Sequence, residues 1–479
     1  MNWKKEIIIA ICISLTYFLI FIIAELWRIY GKPSHEQTRK LVHFVSGIVC
    51  LSFAYLFKSH WTVLILCVSF FIIMIVTKKN GLLRSVHDID RKSQGGIYYP
   101  FAVYLTFIIA KYYNQPHYYL ISILVLAVSD SLAAVIGKRY GFKIYRVEED
   151  NRSLEGSIIF FTVTFIIVLL GLLLLTSIGR EQCVLIAIFL GLMVTGFESI
   201  SLGGTDNLFV PLGTIAILIK EDEQTALYIA QKIGVLVALV ILITLIGRRT
   251  TQPQLGLSAI IGIALTGFAA SSLVALHWLF PILIGIIIFS FLDLFIEDRN
   301  DKKTIYRIRS IFFILVVSFI WILVADFAGK YAFIFYVSYT TNITANLGIL
   351  WHYKSKHVKK EQSRLRAPAF IFHMPLLLRA IILSLCFVPL TAFIDPEISV
   401  FFSLVTCFFG TIIIEWIYWF VEPIKHRVWS QIAFLRFTSV ISITVTTILS
   451  IASYWYYREK IELNLDMVIS LKGLLVCIQ

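Results

Sequence analysis

Charged residues are scarce in this sequence. Asp, Glu, Lys and Arg make up 15% of its 479 residues, whereas hydrophobic residues make up 59%. Soluble domains average about 25% charged residues, so the shortage excludes an ordinary soluble protein. Apolar runs of about 20 residues recur along the chain, and the alternating ten-residue segments of a β-barrel are missing. The sequence therefore predicts an all-α, polytopic integral membrane protein.

Closely spaced cysteine pairs are also missing. The seven cysteines stand at positions 12, 50, 67, 183, 386, 407 and 477, mostly within apolar runs. This spacing indicates neither a disulfide framework nor a zinc site, and the thiols are predicted to be small packing residues. No small-residue cleavage site follows the apolar run at residues 7–24, so we expect an uncleaved first span.

Hydrophobic patterning predicts roughly sixteen transmembrane helices. They are expected near residues 7–27, 41–57, 61–77, 97–112, 118–137, 157–178, 182–197, 208–219, 227–247, 254–276, 279–296, 310–326, 331–350, 370–392, 398–421 and 433–457. The segment at 208–219 is short for a span and is typical of a re-entrant or broken helix.

Basic residues fall on alternate loops of this map. Loops after odd-numbered spans hold 29 of the 42 Lys and Arg residues, and the opposite side holds ten. The positive-inside rule therefore places the odd loops in the cytoplasm and both termini outside, although Lys4 and Lys5 oppose this placement of the N-terminus. The net charge of +13 is explained by basic residues that orient the spans in the membrane, so no nucleic-acid partner is predicted.

Asp130 directly follows an apolar run, at a depth where an ionisable group is costly and is a functional candidate. The stretch that follows Asp130 combines glycines, basic side chains and hydrogen-bonding side chains. A carboxylate can hold Mg²⁺, glycines let backbone amides approach phosphate, and bases neutralise its charge. The alternative is that this loop is basic only because it faces the cytoplasm, and that Asp130 caps a helix or pairs with a nearby side chain. The candidate nucleotide-binding residues are Gly137, Lys138, Arg139, Gly141, Arg152, Ser153, Glu155 and Gly156.

Three further polar clusters are predicted to face the same compartment. Each cluster also has a purely structural explanation. Arg39 and Lys40 could anchor a span at the lipid headgroups, His43 could be a packing residue, and the tyrosines could belong to an aromatic belt. The Asp206-Asn207 dipeptide could form a turn. The loop that holds the dipeptide carries no Lys or Arg, so its acids could oppose the basic loops around a metal and a triphosphate. The clusters are Arg39, Lys40 and His43; Arg91, Tyr99 and Pro100; and Glu198, Asp206 and Asn207.

Five strings occur in order over residues 36–220: RKLVHF, RKSQGGIYYPF, SDSLAAVIGKRYG, RSLEGS and TDNLFVPL. Together they resemble the CTP-dependent polyprenol kinase family, which includes dolichol kinase and phytol kinase. The resemblance implies a multi-span helical fold and transfer of the γ-phosphate of CTP to a long isoprenoid alcohol. It also implies a nucleotide site at Asp130, Gly137, Lys138, Gly141, Ser153, Glu155 and Gly156, completed by Asp206 and Asn207. One departure is Arg152, where the family usually has Lys; the positive charge is retained.

As a hypothesis, Asp130 and Asp206 hold Mg²⁺ on the triphosphate while Lys138, Arg139 and Arg152 neutralise developing charge. His43 and Glu198 are candidate general bases. The Asp…Gly-x-x-x-Gly and Ser-x-Glu-Gly pattern also resembles the phosphatidate cytidylyltransferases, but their carboxy-terminal motif with His-Gly-Gly is missing here. A transporter is a third hypothesis, against which stands the clustering of polar groups on one face.

Residues 1–250 are predicted to form the kinase-like domain, and residues 251–479 a second membrane domain of unknown role. The second half contains no repeat of the Asp130 motif. Residues 255–345 weakly resemble the integral-membrane family that includes phytyl-phosphate kinase. Two successive phosphorylations in one chain are one hypothesis, and a scaffold or lipid-handling domain is the other.

Overall fold

The computed structural model describes residues 3–87, 94–147, 150–248, 256–295, 308–358, 374–387, 400–428 and 431–457. The chain divides into two compact units, Met1–Gly234 and Val235–Gln479. The division falls inside the helix Ala226–Arg248, and the domain boundary predicted at residue 250 stays a prediction.

Helices form almost all of the described part of the first unit. They are α1 (Trp3–Gly31), α2 (His35–Leu51), α3 (Phe53–Leu56), α4 (His60–Lys79), α5 (Arg84–His87), α6 (Gly95–Tyr112), α7 (Pro116–Leu124), α8 (Asp130–Tyr140), α9 (Leu154–Leu175), α10 (Arg180–Ile200), α11 (Asp206–Glu221) and the start of α12 (Ala226–Arg248). A π-helical turn, Val125–Ser129, joins α7 to α8.

Local capping sets where several of these helices begin. Ser34 precedes α2, and its backbone N–H donates to Oε1 of Gln37 at 2.9 Å, which is one half of a capping box. Pro116 opens α7, where its missing N–H costs nothing. Ser153 caps α9 by accepting a hydrogen bond from the Gly156 backbone N–H at 3.1 Å.

The continuous segment from α7 through α8 lies at the centre of the first unit. In its apolar window 56% of residues are buried, compared with 17% in α1. It packs against α2, α6, α9 and α11. Tyr119, Ile123, Val125 and Leu126 are fully buried there. Asp130, in the middle of this segment at the start of α8, is therefore held by a well-packed part of the unit.

The described part of the second unit is also helical. It contains the end of α12, then α13 (Leu257–Ala269), α14 (Phe280–Phe295), α15 (Ile308–Ala328), α16 (Phe333–Val358), α17 (Leu376–Phe387), α18 (Val400–Val428) and α19 (Gln431–Tyr457), with short π and 3-10 turns at Ala270–Val274, Leu276–Leu279 and Gly329–Tyr331. Helix α16 is central and packs against α14, α15, α17, α18 and α19.

Polar side chains pair between helices inside the second unit. Asn342 donates to Ser318 Oγ at 2.9 Å and accepts from Ser442 Oγ at 2.6 Å. The Arg379 guanidinium lies 3.4 Å from Glu415, and both side chains are buried. Such contacts are typical of helix association in membranes, where a polar group needs a partner inside the protein.

The predicted all-α, polytopic membrane fold is confirmed. Within the described residues, ten helices are long and apolar enough to cross a bilayer, and a helix overlaps each of the sixteen predicted spans. The count of sixteen stays a prediction. The π-helical turn Val125–Ser129 was not predicted, nor was an antiparallel hairpin of β1 (Ile144–Val147) and β2 (Asp150–Ser153), in which Ile144 faces Ser153 and Val147 faces Asp150.

Candidate active site

Asp130 follows the π-helical turn Val125–Ser129 and is buried, as is Ser129 beside it. Ser129 Oγ accepts a hydrogen bond from Thr164 Oγ1 of α9 at 2.9 Å. A π-helical turn carries one extra residue and rotates everything that follows it, and such turns are frequent at functional sites. Here the turn sets the direction in which the Asp130 carboxylate points.

The Asp130 carboxylate has a charged partner on α2. Lys40 Nζ donates to Asp130 Oδ2 at 2.5 Å, and the two side chains are only 5% and 8% exposed. A buried carboxylate requires such a partner. Helix α2 can approach this closely because Gly47 lies against Ala127, where a Cβ on Gly47 would overlap the Ala127 side chain.

His43 lies one turn beyond Lys40 on α2, beside the same carboxylate. Its Nε2 is 3.4 Å from Asp130 Oδ2 and 3.2 Å from the Leu126 carbonyl oxygen. The Tyr99 ring meets the His43 ring edge-on, with centroids 5.0 Å apart. Because both neighbours of Nε2 accept hydrogen bonds, they favour the tautomer that carries the proton on Nε2.

A second group of charges gathers at the start of α11. Arg152, from β2, forms an ion pair with Glu198, lies 3.8 Å from Asp206 Oδ2 and donates to Ser201 Oγ at 3.2 Å. The backbone N–H of Asn207 donates to Asp206 Oδ1 at 2.9 Å. The hairpin thus places one guanidinium against two acids that lie 46 and 54 residues later in the sequence.

Arg39 lies within electrostatic range of both groups. It precedes Lys40 on α2, forms an ion pair with Glu36 and is close enough to Asp130 and Asp206 to be influenced by their charges. The Nε atoms of Arg39 and Arg152 are buried, and neither has a hydrogen-bond partner among the described residues. Buried donors are normally satisfied, so these two nitrogens are suited to the oxygen atoms of an anionic ligand.

The glycines of the predicted nucleotide site lie against one another. A Cβ on Gly137 would come within 3.1 Å of Gly156 Cα, and a Cβ on Gly141 within 2.5 Å of Ser153 Cβ. Ser153 Oγ also donates to the Gly137 carbonyl oxygen at 3.2 Å. These glycines allow α8 to pack against the start of α9. Their predicted contact with nucleotide stays a prediction.

The remaining predicted residues differ in their surroundings. Lys138 and Arg139 are exposed on the last turn of α8, and Arg139 lies 5.3 Å from the Tyr140 ring centre. Lys138 is eight residues from Asp130, about 12 Å along the helix. Glu155 accepts hydrogen bonds from the backbone N–H groups of Phe142 at 3.1 Å and Lys143 at 3.2 Å. Arg91 lies outside the described residues.

A mostly apolar cavity adjoins these charges. It lies among α1, α2, α4 and α6, and its polar lining includes Arg39, His43 and Asn207. The empty space within it is about 1010 Å³, including solvent at its mouth. Ligand cavities usually pair an apolar lining with a few placed polar groups. Its other lining residues include Tyr17, Phe21, Val42, Ser46, Cys50, Phe53, Leu66, Cys67, Phe70, Met74, Tyr99, Pro100 and Val103.

The chain is similar to a phytol kinase from Synechocystis sp. The two are 30% identical over 213 residues, which are 44% of this chain and 90% of that protein. Over part of its length, the chain belongs to the phytol kinase family. The resemblance to this family, inferred from five short strings, is confirmed. No family model and no solved structure matches the chain.

Two features of this phytol kinase family member were missed by sequence reasoning. Lys40 was a candidate substrate-contacting or structural residue, and its pairing with Asp130 was not predicted. Cys50 and Cys67 were predicted to be packing residues, and both line the cavity. The spacing of Arg39, Val42, His43, Ser46 and Cys50 at three- and four-residue steps is a sequence signal that could have predicted one lining face of α2.

Proposed function

We propose that the protein is a CTP-dependent kinase that transfers the γ-phosphate of CTP to the hydroxyl of a long-chain isoprenoid alcohol at the cytoplasmic membrane face. One observation carries the proposal: the lining of a mostly apolar cavity includes Arg39 and His43, and His43 Nε2 lies 3.4 Å from the buried Asp130 carboxylate. An apolar chain and a polyanion can therefore meet at one point. The membership in the phytol kinase family supports this chemistry.

The acceptor alcohol is proposed to lie in the cavity with its hydroxyl at His43. The two acceptors around Nε2, Leu126 O and Asp130 Oδ2, hold a proton on that nitrogen, so Nδ1 is the basic atom. In the reaction, the alcohol oxygen forms a bond to the γ-phosphorus while the bond from that phosphorus to the bridging oxygen breaks. The hydroxyl proton passes to His43, and CDP leaves.

The nucleotide is proposed to lie between Arg39 and Arg152. Each has a buried Nε donor without a hydrogen-bond partner among the described residues, and Arg152 is already oriented by Glu198, Asp206 and Ser201. Positioned donors of this kind stabilise the charge that spreads over the transferred phosphoryl group. Lys138 and Arg139, on the last turn of α8, are proposed to attract the triphosphate to this face.

Mg²⁺ is proposed to be held by Asp206, with Asp130 as a second carboxylate and Asn207 as a neighbouring oxygen donor. Within the described residues, no group of three His, Cys, Asp or Glu side chains is arranged to hold a metal. That fits an ion that arrives with the nucleotide, since Mg²⁺ usually takes one or two carboxylates together with substrate phosphates. When bound, Mg²⁺ would neutralise charge on the phosphates.

A dual-label assay tests the proposal. Purified protein in lipid nanodiscs is given phytol and Mg²⁺ with CTP labelled either in the γ-phosphate or in the α-phosphate. A kinase labels the lipid from γ-labelled CTP alone. In a parallel reaction with phosphatidate as the acceptor, lipid labelled from α-labelled CTP would instead identify a cytidylyltransferase, and lipid that stays unlabelled in every reaction would contradict both enzymes. Parallel reactions with ATP, GTP and UTP test the choice of donor.

A further inference from the structure

We propose that the connection between α8 and β1 docks on the surface of an anionic lipid bilayer, and that this contact holds Arg152 in the candidate site. The docking surface combines three exposed apolar side chains with three exposed bases, and we call it the interfacial patch. Its effect on activity rests on the proposed function, whereas the docking itself does not. The patch consists of Tyr140, Phe142, Ile144, Lys138, Arg139 and Lys143.

The patch lies where two membrane spans are joined. The spans are Pro116–Tyr140 and Leu154–Leu175, and their adjoining ends, α8 and α9, pack against each other. Residues 141–153 connect these two ends on one side of the membrane. Because each span is long enough to cross the hydrocarbon core, the connection lies at the level of the lipid headgroups. The patch can therefore reach the bilayer surface without any movement of the spans.

The apolar members of the patch are unusually exposed for residues outside a span. Phe142 is 88% exposed, the largest value among the large hydrophobic side chains of the described residues. It lies between α8 and β1, so acyl chains that surround a helix do not account for its exposure. Ile144 is 64% exposed and Tyr140 is 54% exposed. Aromatic and aliphatic side chains at this depth are typical of insertion into the interfacial region of a bilayer.

The charge of the patch complements anionic headgroups. Lys138, Arg139 and Lys143 are exposed around the apolar side chains, and bases next to a span attract anionic lipids. Lys138 and Arg139 are also proposed to attract the triphosphate, and one positive field acts on both anions. The acids Glu148 and Glu149, which follow β1, lie outside the described residues and are not part of the patch. The mixture of apolar and basic side chains favours a lipid surface over an apolar protein partner.

The patch is firmly connected to the candidate site. The Glu155 carboxylate accepts hydrogen bonds from the backbone N–H groups of Phe142 at 3.1 Å and Lys143 at 3.2 Å. In the hairpin that follows, Tyr145 of β1 pairs with Arg152 of β2. Lipid contact at the patch would therefore restrict the motion of the hairpin. A restricted hairpin keeps the Arg152 guanidinium in position at the start of α11, where positioned donors stabilise charge.

The cytosine base is the alternative occupant of Phe142, because nucleic-acid bases stack on aromatic rings. Two observations favour lipid. Phe142 is not among the residues that line the cavity, where the reaction is proposed to occur. A stacked base also gives no role to Ile144, which is exposed two residues later on β1.

The first experiment tests docking without catalysis. The photoreactive residue p-benzoylphenylalanine replaces Phe142 in the full-length protein, in nanodiscs of phosphatidylcholine with or without phosphatidylglycerol and with CTP present. We expect phospholipid adducts that increase with phosphatidylglycerol, and fewer adducts when the same residue replaces Asn151, which is exposed on β2. Adducts with CTP in place of lipid, or lipid adducts no more frequent than at position 151, would overturn the docking.

The second experiment tests the effect on the site. It measures kcat at saturating CTP, because a negative membrane also repels the nucleotide and so changes its KM. We expect kcat for phytol to rise about fivefold between phosphatidylcholine alone and about 30% phosphatidylglycerol, and about 0.5 M salt to remove most of the rise by screening. Equal kcat in the two lipids would overturn the coupling between the patch and Arg152.

A double variant assigns the lipid effect to the patch. Phe142→Ser with Ile144→Ser should keep the low kcat in both lipids and unfold thermally like the unmodified protein, since both native side chains are exposed. The matched control is Phe327→Ser, at an 84% exposed phenylalanine in the second unit, which should retain the rise. A rise that persists in the double variant would contradict the inference. If no lipid mixture supported phosphorylation, the proposed function would fail, and the photochemical adducts would still decide the docking.

Discussion

At the scale of single residues, the Lys40–Asp130 pair is central to the candidate site. We predict that Asp130→Asn and Lys40→Met each lower kcat/KM for CTP at least about a hundredfold, the effect of losing one aligned electrostatic contact. Each change also leaves a buried charge without its partner, at a cost of about 3–5 kcal/mol in the free energy of unfolding. Thermal unfolding and labelled-phosphate transfer measure the two effects separately.

The double variant of Lys40→Met with Asp130→Asn separates stability from activity. Because no isolated charge remains, we expect it to recover stability but not activity. A matched control is the buried pair of Lys232 and Glu221, whose atoms lie 2.6 Å apart in the same unit. Lys232→Met should lower stability with little change in activity per folded molecule. Full CTP-dependent activity in Asp130→Asn would contradict the assigned role of this residue.

Sequence reasoning selected the acids of the candidate site but did not predict which side chains they contact. Asp130 stands out because an ionisable group is costly after an apolar run, and that argument needs only the sequence. Its pairing with Lys40 depends on two helices that meet through Gly47 and Ala127, across 90 residues of chain. The contact of Arg152 with Glu198 depends in the same way on how the hairpin folds back. Contacts of this kind follow from tertiary packing, which spacing along one segment does not encode.

At the scale of elements, the glycines between α8 and α9 have two possible roles: contact with the nucleotide, or close packing of the two helices. Gly141 has ordinary backbone angles, but an added Cβ would overlap the Gly137 carbonyl oxygen and Ser153. We predict that Gly141→Ala lowers the free energy of unfolding by about 1–3 kcal/mol even without nucleotide, because the helices must separate. Thermal unfolding without and with CTP measures this.

The control is Gly179→Ala at the start of α10, where an added Cβ meets no atom within 4 Å. It should change stability by no more than about 0.5 kcal/mol. If Gly141→Ala kept the stability of the apo protein and weakened only CTP binding, the glycines would act on phosphate and not in helix packing.

The long helices could be predicted because hydrophobic runs in a membrane protein are set by bilayer thickness. The short segment predicted at 208–219 corresponds to α11, Asp206–Glu221, which spans about 24 Å. The π-helical turn before Asp130 has no such signal, because Val125–Ser129 is as apolar as an ordinary helical turn. The hairpin Ile144–Ser153 was also missed, since two four-residue strands between basic residues read as a loop.

At the scale of the whole molecule, orientation in the membrane is open to direct measurement. The charge asymmetry predicts that the loop after α8 faces the cytoplasm and the loop before α4 faces outward. Lys143 and Lys58 are exposed in these two loops. We predict that an impermeant maleimide labels Lys143→Cys only from the cytoplasmic side and Lys58→Cys only from the outer side. The unmodified chain reports labelling of native thiols, and the reverse pattern would invert the predicted topology.

The two compact units raise the question of which one carries the proposed activity. The candidate site and the cavity are built entirely from residues 17–207, inside the unit Met1–Gly234. The 213 matched residues make up 90% of the Synechocystis phytol kinase, so that protein has no room for a second unit the size of Val235–Gln479. The chemistry of the family therefore needs only one unit of this kind.

We predict that residues 1–250, cut after the end of α12, retain CTP-dependent phosphorylation of phytol within about tenfold of the full chain when reconstituted in nanodiscs. The cut is placed there because ending at residue 234 would divide α12, Ala226–Arg248, and expose a broken helix to lipid. The matched control is the same fragment with Asp130→Asn, which should be inactive. If the fragment folds, as judged by a cooperative unfolding transition, yet transfers no phosphate, then residues 251–479 supply part of the catalytic machinery and the single-unit interpretation is wrong.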